Sequence, residues 1–193
     1  MRDPMKTLPR LLIFIFLSAH LAYAQTPSSS APAAQTPKPA PCVASEYRQF
    51  DFWIGDWDVT VLNGKAAGTN LIKPILGGCV LHENWNGNGG FVGQSFNGYD
   101  ATRKIWRQTW VDGQGGSLIL EGNFENGRMT LSDKDTSVKS GASVVNEIAW
   151  TMLADGAVRQ LWRTSADGGK TWVVAFDGKY VRSARPQPNI AVR

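Results

Sequence analysis

Histidine is nearly missing from this chain. There are two among its 193 residues, His20 and His82, and only His82 lies beyond the apolar run near the N-terminus. One imidazole cannot form an HExxH zinc motif, and any Ser-His-Asp triad would have to use His82. Cysteine is as scarce: Cys42 and Cys79 lack CxxC spacing and have no clustered His beside them, which argues against a redox or metal pair. Lysine and arginine never cluster, so nothing argues for nucleic acid. No apolar run reaches the ~20 residues that cross a bilayer. No cofactor motif is present, and no cofactor is expected.

What is present begins with a leader. "MRDPMKTLPR" carries Arg2, Lys6 and Arg10, "LLIFIFLSA" is a short apolar run, and "AYA" at Ala22–Ala24 puts small residues at the cleavage positions. Residues 1–24 are therefore expected to be a secretory signal peptide cut before Gln25. No cysteine follows the run to carry a lipid anchor, so no stable membrane anchor is expected after cleavage. Cleavage removes three of the 20 basic and one of the 16 acidic residues, and the mature charge falls to about +2. Residues 25–41, rich in Pro, Ala and Ser, cannot bury enough apolar surface to offset ordering and read as a disordered linker. Export to the periplasm or beyond makes a Cys42–Cys79 disulfide the natural reading. It would close a long loop, worth roughly 4 kcal/mol on the loop-entropy argument.

From Cys42 to about residue 183 nearly every segment reads as strand, and residues 184–193 as a flexible tail. Runs rich in Val, Ile, Trp, Tyr and Thr recur about every 10 residues. They span approximately Trp57–Leu62, Thr69–Ile75, Cys79–Trp85, Gly93–Tyr99, Ile105–Val111, Ser117–Gly122, Arg128–Ser132, Val144–Leu153, Val158–Thr164 and Trp172–Arg182. Between them, "NGK", "GNGG", "DGQGG", "ENGR" and "ADGGK" supply the residues that tight reversals need. No connection is long enough for a helical crossover, so the strands form an antiparallel meander. Closing it on itself removes its edges, and the expected fold is an all-β up-and-down barrel of about 8–10 strands, with a two-sheet sandwich as the competing arrangement.

Gly55-Asp56-Trp57, after the aromatic lead-in "QFDFWI", resembles the Gly-x-Trp signature of lipocalins and other calycins. With "GCVLHENW", "GQSFNGYD", "WRQTWVD" and "SADGGKTWVVAFDGKYVR", the chain is similar to a secreted bacterial family of calycin-like domains without an established function. The resemblance implies a barrel with an internal cavity. It also implies that Gly55 and Trp57 are structural, with a late arginine, Arg182 or alternatively Arg163, across the tryptophan ring. Nitrobindin-type barrels hold haem through a His, but His82 is not in a matching motif, so haem is not expected here. "SADGGKTW" matches the Asp-box pattern, which makes Ser165, Asp167, Gly169 and Trp172 hairpin residues, since a single copy cannot make a propeller. "GQSFNG" has Asn97 where a nucleophile elbow needs its second Gly.

Residues two apart on a strand share a face. Trp57, Val59 and Val61 therefore form the inward side of the first strand. Further along, Glu83 shares a face with Trp85; Ser95 and Asn97 with Tyr99; Gln108 with Trp106 and Trp110; and Gln160 with Trp162. An aromatic alternating with an amide, hydroxyl or carboxylate is the usual lining of a small-molecule site. The alternative is a core in which Trp fills space while the amides satisfy buried hydrogen bonds. The leading expectation is a barrel that binds a small hydrophobic or amphipathic ligand through these residues. Two alternatives stand beside it: an enzyme whose titratable group is Glu83, His82 or Tyr99, and a fully packed interaction module.

Overall fold

The computed structural model describes residues 41–133 and 144–185. The expected signal peptide, residues 25–40 of the expected linker and residues 186–193 of the expected tail lie outside the described residues. Among the described residues the strands are β1 (Gly55–Val61), β2 (Ala66–Ile75), β3 (Val80–Gly87), β4 (Val92–Asp100), β5 (Ile105–Asp112), β6 (Ser117–Glu125), β7 (Arg128–Ser132), β8 (Val145–Met152), β9 (Val158–Ser165) and β10 (Val173–Arg182). Each pairs antiparallel with the next, and β1 pairs with β10, placing Val59 opposite Tyr180 and Trp57 opposite Arg182. The result is a closed up-and-down barrel with no unpaired sheet edge, and it is not a sandwich. The reversals follow the turn chemistry of the sequence. Between β6 and β7, Asn126 and Gly127 both take positive φ, 50° and 76°, as a two-residue hairpin with the right twist requires.

Strand alternation sorts the side chains. On β1, Trp57 and Val59 point inward and are buried while Asp58 is exposed. One arc of the interior, β6 to β8, is apolar, with Leu120, Met129, Leu131, Ile148 and Trp150. The arc formed by β2 to β5 is polar: Asn70, Glu83, Ser95, Asn97 and Gln108 are all buried.

One end of the barrel is shut by the lead-in to β1. Two 3-10 turns, Ser45–Arg48 and Asp51–Trp53, fold across it. Phe50 stacks on Trp53 with centroids 4.9 Å apart and meets Trp106 and Trp150 edge-on at 5.7 and 5.2 Å. Trp57 donates from Nε1 to the Trp53 carbonyl at 2.9 Å, which fixes the turn to the first strand. Arg182 lies with Cζ 3.9 Å from the Trp57 ring centroid and donates to the Ile54 carbonyl at 2.6 Å. Arg163 covers a different ring, Trp172, at 5.1 Å. A disulfide joins Cys42 to Cys79 and so ties the lead-in to the segment entering β3. No helix among the described residues is long and apolar enough to cross a membrane.

Candidate functional site

With the lead-in filling one end, the interior remains open toward the other, where the β3–β4, β5–β6 and β9–β10 hairpins lie. A cavity of about 420 Å³ occupies this half, within the ordinary range of small-molecule sites. Its upper wall is aromatic: Trp85, Trp110, Trp162, Phe91 and Phe176. Trp85 meets Phe176 edge-on at 6.1 Å, and Phe91 tilts over Trp110 at 6.4 Å. Its floor is Glu83, Gln108, Gln160 and Tyr180, with Ile148 completing the apolar side. Asp112 stands at the rim.

Two glycines let these rings lie against the wall. A Cβ on Gly93 would come within 2.1 Å of the Trp110 ring, and one on Gly178 within 2.4 Å of Phe176. Both glycines face inward because β4 and β10 alternate there, and the bare backbone leaves room for the ring of a neighbouring strand or residue.

Glu83 organises the floor. It is 4% exposed. Asn70 Nδ2 donates to its Oε1 at 2.7 Å, and Ser95 Oγ to its Oε2 at 2.6 Å. Ser95 in turn accepts from Asn97 Nδ2 at 2.8 Å and from Gln108 Nε2 at 3.3 Å. Burial pushes the Glu83 carboxyl up to about 6, and the bonds from Ser95 and Asn70, which favour the charged form, only partly oppose this. Across the floor, Tyr180 donates its hydroxyl to Gln160 Oε1. Burial and then the nearby Glu83 raise the phenol well above its usual range. The rim behaves oppositely: backbone N–H groups of Gly116 and Gln114 hold the Asp112 carboxyl below its usual range.

The structure gathers Glu83, Trp85, Gln108, Trp110, Gln160 and Trp162 around one space. Ser95 and Asn97 lie just beneath it, fully buried, and reach it only through the Glu83 network. Tyr99 and Trp106 are elsewhere. They belong to the shut end, where Tyr99 meets Tyr47 edge-on at 5.4 Å and Trp106 donates to Gln49 Oε1 at 3.0 Å. They share a face with Ser95 and Gln108 but not a height along the barrel axis. His82, next to Glu83, points outward and stacks on Phe96 at 4.9 Å, its Nε2 2.8 Å from Gln94 Oε1.

Sequence reasoning missed Tyr180, Phe176 and Asn70. The alternation Phe176-Gly178-Tyr180 in the last strand carried the same signal as the other strands, whereas Asn70 sits alone in an otherwise apolar pattern and carried none.

The Asp-box hairpin between β9 and β10 is self-contained. Ser165 Oγ accepts from the Gly169 N–H at 2.8 Å, and Asp167 accepts from Thr171 Oγ1 at 2.6 Å and from the Lys170 and Thr171 N–H groups at 2.9 and 2.8 Å. These donors hold the Asp167 carboxyl well below the usual range. Every bond turns inward on the hairpin, as a backbone device would. Among the described residues no three His, Cys, Asp or Glu side chains gather as a metal site. The chain matches no protein-family model and no curated protein.

Proposed function

We propose that this chain is an exported, calycin-like barrel that binds a small hydrophobic or amphipathic molecule in the half-open cavity. The observation that carries the reading is the cavity itself, about 420 Å³, apolar and aromatic around its upper wall and polar only at its floor and rim. Flat rings supply contact area at little entropic cost, while a few placed polar groups orient a guest. A core that needed its tryptophans for packing alone would fill this space, and the shut end shows how the same chain packs when it does. Export is supported by the leader-like residues 1–24 and by the Cys42–Cys79 disulfide, a bond suited to an oxidising compartment.

The test is direct. Native mass spectra of the protein from its source, before and after mild denaturation, should show a bound small molecule lost on unfolding. Tryptophan emission should shift on titration with members of a panel of lipids, sterols and aromatic compounds. No bound mass together with unchanged emission across the panel sinks the reading.

A second reading rests on Glu83. A carboxyl raised to about 6 populates both protonation states near neutrality, as a general acid or base must. His82 and Tyr99 do not reach the cavity, so Glu83 would act without them. Turnover abolished in Glu83→Gln with binding retained would favour catalysis.

A further inference from the structure

The binding reading leaves open what a guest carries at its polar end, and the cavity's charges bear on that. Among the described residues lining it, the ionisable ones are Glu83 on the floor, Asp112 at the rim and Tyr180 beside Glu83; none is Lys, Arg or His. We propose, resting on the binding reading, that the preferred ligand is an apolar or aromatic amine whose ammonium group reaches the buried Glu83 carboxylate between the aromatic walls.

Three features converge on this class. The Glu83 carboxylate is buried without a cation: its hydrogen-bond partners are the neutral Asn70 and Ser95, so its charge is solvated but not balanced. Each carboxylate oxygen accepts one of these bonds and retains further acceptor capacity toward the cavity. Trp85, Trp110 and Trp162 line the route to it, and an indole attracts a cation over its face while accepting apolar groups. At the rim, Asp112 remains ionised and draws positive charge toward the opening. A carboxylate ligand would meet the opposite: a like charge at the floor in a poorly screened space, another at the rim, and no cationic partner.

The groups facing Glu83 also fix the pH dependence. From β2 comes Asn70, from β4 Ser95 and from β5 Gln108, all neutral; from β10 comes Tyr180, which keeps its proton throughout the working range. Asp112 does not titrate near neutrality. Amine binding therefore follows Glu83 alone, strengthening as pH rises through about 6 and levelling above it.

The experiment uses two matched sets of probes in calorimetric titrations of the intact protein: tryptamine, 3-propylindole and indole-3-propionate; and octylamine, octanol and octanoate. At pH 8 the amine of at least one set should bind at least about tenfold tighter than its neutral and acidic counterparts. That preference should fall by about tenfold at pH 4.5. Glu83→Gln should weaken the amine by a similar factor and leave the neutral compound within about twofold.

An alcohol or acid binding as tightly as the amine at pH 8 overturns the amine assignment while leaving the cavity a binding site. Binding by none of the six, with no bound mass from the native source, removes both. Equal loss of all probes in Glu83→Gln makes Glu83 structural and overturns the proposal. Should that variant not fold, a flat pH profile in the unmutated protein has the same force.

Discussion

Glu83 is held in a place that favours its neutral form, and the cost is borne by the folded state. In the unfolded chain the carboxyl ionises near 4.5; in the barrel it does so near 6. Between these values the native protein binds more protons than the unfolded chain, so stability contributed at this site falls as pH rises from about 4.5 to above 6. The shift corresponds to about 2 kcal/mol. Denaturant unfolding of the ligand-free protein and of Glu83→Gln across this window should show the difference in stability moving by that amount in favour of the variant as pH rises. Parallel curves would deny the buried carboxyl its raised ionisation. At the same scale, Gly93→Ala places a methyl about 2.1 Å from the Trp110 ring, so the ring must shift. It should cost about 1–3 kcal/mol and change the near-ultraviolet dichroism of the indole, with the far-ultraviolet strand signal kept.

Among the elements, the lead-in before β1 determines which end of the barrel is closed. Trp53→Ala would leave a hole among Phe50, Trp57 and Trp150 and should lower stability by about 3–5 kcal/mol. Trp53→Phe should cost far less, because the indole Nε1 that it removes is buried without a hydrogen-bond partner. The disulfide between this lead-in and the start of β3 predicts that reduction, or Cys42→Ser with Cys79→Ser, lowers the melting temperature by roughly 10 °C without dissolving the barrel.

Strands and turns were legible in the sequence because both are local: alternation marks a face, and Asn-Gly or Asp-Gly marks a reversal. The segment "WDVTV" was legible as the first stave for the same reason, whereas the closure of the barrel end by Phe50 and Trp53 depends on contacts with distant strands. The site was legible by face and illegible by height. Ser95 and Tyr99 share a face of β4, as Gln108 and Trp106 share one of β5, yet the tilt and register of ten staves put one member of each pair beside the cavity and the other in the plug. That offset arises from closure of the whole ring and has no local signature.

At the scale of the molecule, the seam between β1 and β10 joins segments more than a hundred residues apart in sequence. Such a long-range pairing carries a large loop-closure cost until the intervening meander condenses, and folds dominated by non-local pairings form on the millisecond to second scale. Val59→Ala, opposite Tyr180 at the seam, should cost roughly 2 kcal/mol. If the seam closes last, that cost appears as about a 30-fold faster unfolding rate with the folding rate nearly unchanged. A chevron in which the folding limb slows instead would place the seam in the nucleus.

The last strand also carries Tyr180 and Phe176, so the stave that seals the ring is the one that completes the cavity's floor and wall. A chain cut or stalled before Val173, where the tenth strand begins, is therefore left with two sticky edges, at β1 and β9, and without Phe176 and Tyr180 to finish the pocket. For such a fragment, an unfinished cavity and exposed strand edges open to proteases arrive together, so the same last stave that hides the edges also builds the cavity.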